Sequence, residues 1–130
     1  MKPLTLLLAF VLSLTACSRE EVKTDDRPPA IAAWIKSQPE LQVLDVRTKE
    51  EFATGHLDKA KLIPWTDKDF SERAKKELDP AKPLLVYCRS GRRSAEASAQ
   101  LAKLGFKNIR SLDGGILAWT KEGQPLVKPK

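Results

Sequence analysis

The chain is short of the residues that most catalytic machinery uses. Its 130 residues include two cysteines, Cys17 and Cys88, and one histidine, His56. No His/Cys/Asp/Glu group has metal-ligand spacing, and no Ser/His/Asp set or P-loop appears, so neither a metal nor another cofactor is expected. Aromatic residues make up only 6%, and no basic patch is interleaved with them. The 23 Lys+Arg and 17 Asp+Glu are spread along the whole chain. That is the balance of a soluble enzyme rather than a nucleic-acid binder. No internal repeat is present, and the length suits one domain around one core.

The apolar stretch Leu4 to Leu14 follows a short positive start, Met1-Lys2, and is too short to span a bilayer as a mature helix. It ends in Leu14-Thr15-Ala16-Cys17, which resembles the bacterial lipobox. The resemblance implies a signal peptide over 1–16 and a lipid anchor on Cys17. Residues 17–29, which include the charged SREEVKTDDRPP, then form a tether to a domain over 30–127. Acyl chains contribute about 0.8 kcal/mol per buried CH₂, enough for two or three of them to hold a protein on a membrane. The expected location is a bacterial envelope membrane, facing the periplasm. Ser18 in place of an acidic residue points to the outer membrane if the cell has two. Lipidation of Cys17 leaves Cys88 as a free thiol.

Within the domain, Ile31, Trp34 and Ile35 fall on one face of a short helix ending before Pro39. LQVLDV (41–46) reads as a strand, and EEFATGHL as a brief helical turn closed by Gly55. Residues 66–78 read as an exposed amphipathic helix around Phe70, Ala74 and Leu78. The apolar run 83–87 predicts a strand buried on both faces. Residues 95–104 predict a helix with Leu101 and Leu104 inward, 107–112 a strand, and 115–121 a last helix carrying Leu117 and Trp119. Alternation of this kind implies an α/β fold, with a small, mostly parallel sheet flanked by helices on both faces.

The stretch with the most chemistry is CRSGRRS, residues 88–94, between the strand 83–87 and a helix. In open α/β sheets ligands bind outside the carboxyl ends of the strands, where this loop falls. A strand-to-helix loop can turn backbone N–H groups onto an anion, and the helix dipole adds positive potential there. The thiolate is the nucleophilic form of cysteine, so this setting, with Arg89, Arg92 and Arg93, is expected to depress the Cys88 pKa. Gly91 permits the turn. A cysteine that merely packs at a strand end does not require three arginines and a glycine in the next five positions.

LDVRTKEEFATGHLDKAKLIP, LLVYCRSGRRSAEASAQLAKLGF and SLDGGILAW, in this order, resemble the single-domain rhodaneses, the thiosulfate sulfurtransferases. The likeness covers about residues 30–125, and the family's Pro-Gly pair after GH is replaced by Asp58-Lys59, at a surface turn. The resemblance implies a rhodanese-like fold, with Cys88 as the sulfur-accepting nucleophile and Arg89, Ser90, Gly91, Arg92 and Arg93 as its substrate loop. Thiosulfate would pass its outer sulfur to Cys88, and a thiol or cyanide would remove it, with the protein acting as a monomer. Arg89 and Arg93 are assigned to holding the dianion. Asp45, Arg47 and Glu51 are expected to form an ion-pair network supporting the site, His56 to be scaffold, and Ser94 to cap the helix.

Two other readings compete. Cysteine phosphatases and related arsenate reductases place an arginine six residues after the cysteine, whereas here the sixth is Ser94 and Arg93 comes one step earlier. A catalytically silent binding module of the rhodanese type would commonly lack the cysteine, which is present.

Overall fold

Alternating apolar and mixed segments fold into four parallel strands and five helices in the computed structural model, which describes residues 24–130. The lipobox, Cys17 and the first part of the tether lie outside the described residues. Helix α1 (Pro28–Ser37) opens on a proline pair, whose fixed φ suits the first helical turn, and buries Ile31. Its start is tied down from the tether side. Asp26 accepts from Arg110 Nε at 2.8 Å, and its carbonyl accepts from Asp113 N–H at 2.9 Å.

Strand β1 (Gln42–Asp45) leads into α2 (Lys49–Ala53), which begins at a Thr48/Glu51 capping box. Strand β2 (Ala60–Leu62) follows, then α3 (Phe70–Glu77), β3 (Leu84–Tyr87), α4 (Arg92–Lys103), β4 (Ile109–Ser111) and α5 (Gly115–Lys121). The sheet order is β2-β1-β3-β4, and each adjacent pair is parallel. Strand β3, central and wholly buried, alternates its side chains between two cores. Leu84 and Val86 face Phe70, Ala74, Ala97 and Leu101 on the α3/α4 side. Leu85 and Tyr87 face Ile31, Ile116 and Trp119 on the α1/α5 side.

Three elements differ from expectation. Residues 66–69 form turns, closed by Phe70 N–H on the Asp67 carbonyl at 3.1 Å, so α3 starts four residues later than its charge pattern suggests. Phe70, Ala74 and Leu78 are buried, so the helix is exposed on one face only. Helix α4 starts at Arg92 rather than at residue 95, which places Arg92 and Arg93 in its first turn. Strand β2, a three-residue edge with no fully buried side chain, has no apolar run to announce it.

At the carboxyl end of β1 sits a buried ion pair. Asp45 is 0% and Arg47 4% exposed, and Arg47 Nη2 lies 2.8 Å from Asp45 Oδ2. The same Nη2 donates to the Gly55 carbonyl at 2.7 Å, fastening the end of α2 to the sheet. Arg47→Met should therefore lower unfolding free energy in urea by about 3–5 kcal/mol, because it leaves a buried carboxylate without its partner. Adding Asp45→Asn should cost less than the two single changes summed, and strict additivity would show that the two charges do not interact.

Candidate active site

Cys88 is the first residue after β3, and its side chain is 1% exposed beneath the turn formed by residues 89–91. The turn depends on Gly91, which has φ 107° and serves as the N-cap of α4. From there the Gly91 N–H donates to Cys88 Sγ at 3.1 Å. A second constraint acts from the other side of the loop. Ile116 N–H donates to the Cys88 carbonyl at 2.9 Å, and Leu117 N–H to the Arg89 carbonyl at 3.1 Å.

That contact requires Gly115, where a Cβ would stand 2.4 Å from the Arg89 carbonyl oxygen. Because a trans peptide directs its N–H opposite to its C=O, the Arg89 carbonyl held toward α5 turns the Ser90 N–H toward the sulfur. The N–H groups of Ser94, Gly91 and Ser90 all act on it.

Ser94 is completely buried and lies inside the first turn of α4, with Gly91 as the N-cap in its place. Its hydroxyl is 3.5 Å from Cys88 Sγ, donates to the Gly91 carbonyl at 3.1 Å, and accepts from the Ser111 hydroxyl at 2.9 Å. Burial alone would push the Cys88 thiol pKa up. The Ser94 hydroxyl and the N–H groups of Ser94, Gly91 and Ser90 outweigh burial, so the net shift is downward.

The arginines divide into different settings. Arg93 forms a two-armed pair with Glu51, Nη1–Oε1 at 2.8 Å and Nη2–Oε2 at 3.0 Å. The Arg93 guanidinium is the main cause that holds the Glu51 carboxyl at about 2. Arg92 is 89% exposed and reaches Glu96, one turn along α4, at 3.6 Å. Arg89 is exposed at the loop and has no carboxylate within ion-pair distance among the described residues. Ser90 is also exposed on the loop.

Asp45, Arg47 and Glu51 form two separate pairs, Asp45 with Arg47 and Glu51 with Arg93, rather than one network. Tyr87, the last residue of β3, presents its ring to the Arg47 guanidinium, 5.7 Å from the ring centroid. Its hydroxyl accepts from Leu57 N–H at 3.1 Å, and burial raises its pKa, so it stays neutral. His56 stacks on Phe52 with ring centroids 4.1 Å apart and pairs through its backbone with Val127, which is a scaffold position.

Gly114, Gly115 and Ser111 received no role from the sequence reading. Their signal was the SLDGG stretch itself, in which adjacent glycines precede an apolar helical pattern. Among the described residues no group of three or more His/Cys/Asp/Glu side chains is placed to hold a metal ion.

The lowered thiol pKa gives a direct test. The rate of Cys88 alkylation by iodoacetamide should titrate with a midpoint below that of a free cysteine. Ser94→Ala should move the midpoint up, toward that of a free cysteine. A group depressed in the folded state adds stability that is fully present above its unfolded pKa and is lost as pH falls through its folded pKa. Stability in Cys88→Ala should therefore lack that alkaline gain, and a midpoint at or above the free-thiol value would contradict the cradle.

The arrangement is a buried, ionisable sulfur at a strand end, faced by backbone amides and a helix N-terminus. Comparison with known proteins agrees with it. The rhodanese-like domain family matches residues 29–122. Thiosulfate sulfurtransferase 18 of Arabidopsis thaliana is 38% identical over 96 residues, covering 65% of this chain and 71% of that protein. A sulfurtransferase of Allochromatium vinosum is 33% identical over 101 residues, covering 78% of this chain and 92% of its own length. The crystal structure of a rhodanese-related protein from Thermoplasma volcanium superposes with a TM-score of 0.66 at 30% identity, covering 82% of this chain and 100% of that one. The chain thus belongs to the rhodanese-like domain family.

Proposed function

We propose that the protein is a thiosulfate sulfurtransferase that carries sulfane sulfur on Cys88. The observation that supports this most is the cradle: the Cys88 sulfur accepts from Gly91 N–H at 3.1 Å and has a lowered pKa despite burial. In the first half-reaction the Cys88 thiolate attacks the outer sulfur of thiosulfate. The bond from that sulfur to the sulfonyl sulfur breaks, its electron pair leaves with sulfite, and a persulfide remains. The first-turn amides of α4 have no acceptor within the helix and favour the negative charge then carried by the outer sulfur. In the second half-reaction a thiolate or cyanide takes that outer sulfur, and Cys88 leaves as thiolate.

Arg89 is the loop cation best available to meet the dianion, since Arg93 already holds Glu51. The phosphatase reading lacks its main feature. The sixth residue after the cysteine is the buried Ser94, and the guanidinium one step earlier is closed on a carboxylate.

Incubation with thiosulfate should add the mass of one sulfur atom to the protein, placed on Cys88 by peptide mapping, and cyanide should remove it as thiocyanate. Cys88→Ser should fold yet show neither adduct nor turnover, because a serine hydroxyl is not ionised at neutral pH. Hydrolysis of an aryl phosphate through Cys88, with no adduct from any sulfane donor, would replace sulfur transfer by oxyanion hydrolysis.

We also propose that the domain hangs from a bacterial envelope membrane by acyl chains on Cys17, from the likeness of Leu14-Thr15-Ala16-Cys17 to a lipobox. The full-length protein expressed in a bacterium should incorporate labelled fatty acid and fractionate with membranes, and Cys17→Ala should do neither. Wild-type protein recovered unlabelled from the periplasm would remove the anchor.

A further inference from the structure

The large apolar side chains most exposed to water gather at one place. Among the described residues they are Leu117 at 47%, Leu126 at 38% and Val127 at 38% exposed. Leu117 and Leu126 line one groove of about 630 Å³ together with Ile116, Thr54, Gly55 and Arg89. Val127 follows Leu126 and is bridged to His56, beside the same edge. Single exposed leucines are ordinary, but a cluster bordering a reactive loop marks a contact surface.

The groove is fixed to the chemistry by the hydrogen bonds that hold the loop. Leu117 N–H binds the Arg89 carbonyl and Ile116 N–H the Cys88 carbonyl, so both side chains stand at set distances from the nucleophile. On the opposite wall Leu126 lies against Gly55, where a Cβ would meet its Cδ1 at 3.5 Å. The charges along the groove are mostly closed, with Arg47 on Asp45 and Glu51 on Arg93. What remains is Arg89 at the loop end and the exposed carboxylate of Glu50 in the first turn of α2. A ligand that fits carries its negative charge toward Arg89 and an uncharged, apolar body across the leucines.

From this we infer that the groove receives the sulfur acceptor, and that the acceptor is a thiol on an apolar body rather than cyanide or a small hydrophilic thiol. The inference rests on the sulfur-transfer reading above and names the substrate class of its second half. The acceptor thiolate, drawn to Arg89, attacks the outer sulfur of the Cys88 persulfide. A new S–S bond forms to the acceptor, the bond to Cys88 breaks, and its electron pair returns to Cys88 as thiolate, with no oxidant or reductant needed.

The test uses protein loaded with thiosulfate, freed of excess donor, and checked for the persulfide by intact mass. Its discharge is then timed with 2-mercaptoethanol, 4-mercapto-1-butanol and 6-mercapto-1-hexanol, each rate corrected for the thiolate fraction. Each added CH₂ should raise the second-order rate about twofold, as partial burial of a methylene predicts. Leu117→Ser with Leu126→Ser should flatten that series, and Leu117→Met should keep it. Both leucines are exposed, so the variants are expected to fold, and unchanged thermal melts would confirm it. A flat series on loaded wild-type protein, or an undiminished slope in the double serine variant, would overturn the acceptor assignment alone. Failure of every sulfane donor to load Cys88 would overturn the sulfur-transfer reading and the acceptor assignment with it.

Discussion

The site depends on two carbonyls being held away from the sulfur. Ile116 and Leu117, at the start of α5, donate their N–H groups to the carbonyls of Cys88 and Arg89. Those amides are orphan donors of a helix first turn, and here they find loop carbonyls instead of water. The consequence reaches Cys88 through peptide planarity: with the Arg89 carbonyl turned outward, the Ser90 amide turns inward. A single side chain at Gly115 would break the contact, since a Cβ there would stand 2.4 Å from one carbonyl oxygen and 2.7 Å from the other. Besides Gly91, a glycine that matters to the nucleophile thus lies 27 positions away in sequence and belongs to another helix.

With the loop held, the charged side chains settle into structural and accessible roles. Glu51 caps α2 through Thr48 and pairs with Arg93 in the first turn of α4, so one carboxylate joins two helices beside the thiol. Arg47 plays the matching part on the sheet side, joining Asp45 to the Gly55 carbonyl. Both arginines would be poor anion binders while so engaged, because a ligand would have to compete with a two-armed carboxylate or enter the core. The density of arginine around Cys88 therefore overstates the free positive charge there. The exposed Arg89 and Arg92 and the backbone amides are what an incoming anion meets.

The parts legible in the sequence are those written in consecutive residues. LQVLDV and PLLVY are apolar runs between turn signals, and they became β1 and the buried β3. Cys88, Gly91 and the start of a helix are likewise adjacent in the chain. The start of α4 was misplaced because Arg92, Arg93 and Ser94 look like loop by composition. The left-handed turn at Gly91, with a φ of 107°, and the Ala95 N–H on the Gly91 carbonyl mark them as the first helical turn. The cap role given to Ser94 failed for the same reason: once the helix begins at Arg92, Ser94 is in its third position, and its hydroxyl turns back to Gly91 and the sulfur. Strand β2 was missed because an edge of three half-exposed residues is defined by its partner β1, not by its own pattern.

The balance at Cys88 also explains why a nearly inaccessible sulfur suits a transfer reaction. Burial disfavours the thiolate, and the amides reverse that preference by hydrogen bonds to the charged form, joined by the Ser94 hydroxyl when its proton swings from the Gly91 carbonyl to the sulfur. In the proposed cycle the charge moves outward by one atom when the persulfide forms. Gly91 N–H already contacts the inner sulfur, and the α4 first turn beside it holds amides without helical partners that would meet the outer one. Such a cradle favours anionic sulfur in both covalent states, so neither half-reaction has to reorganise it. Discrimination between acceptors must then come from outside the cradle, and in the groove that borders the loop at Arg89 the side chains that differ from a generic surface are Arg89, Leu117 and Leu126.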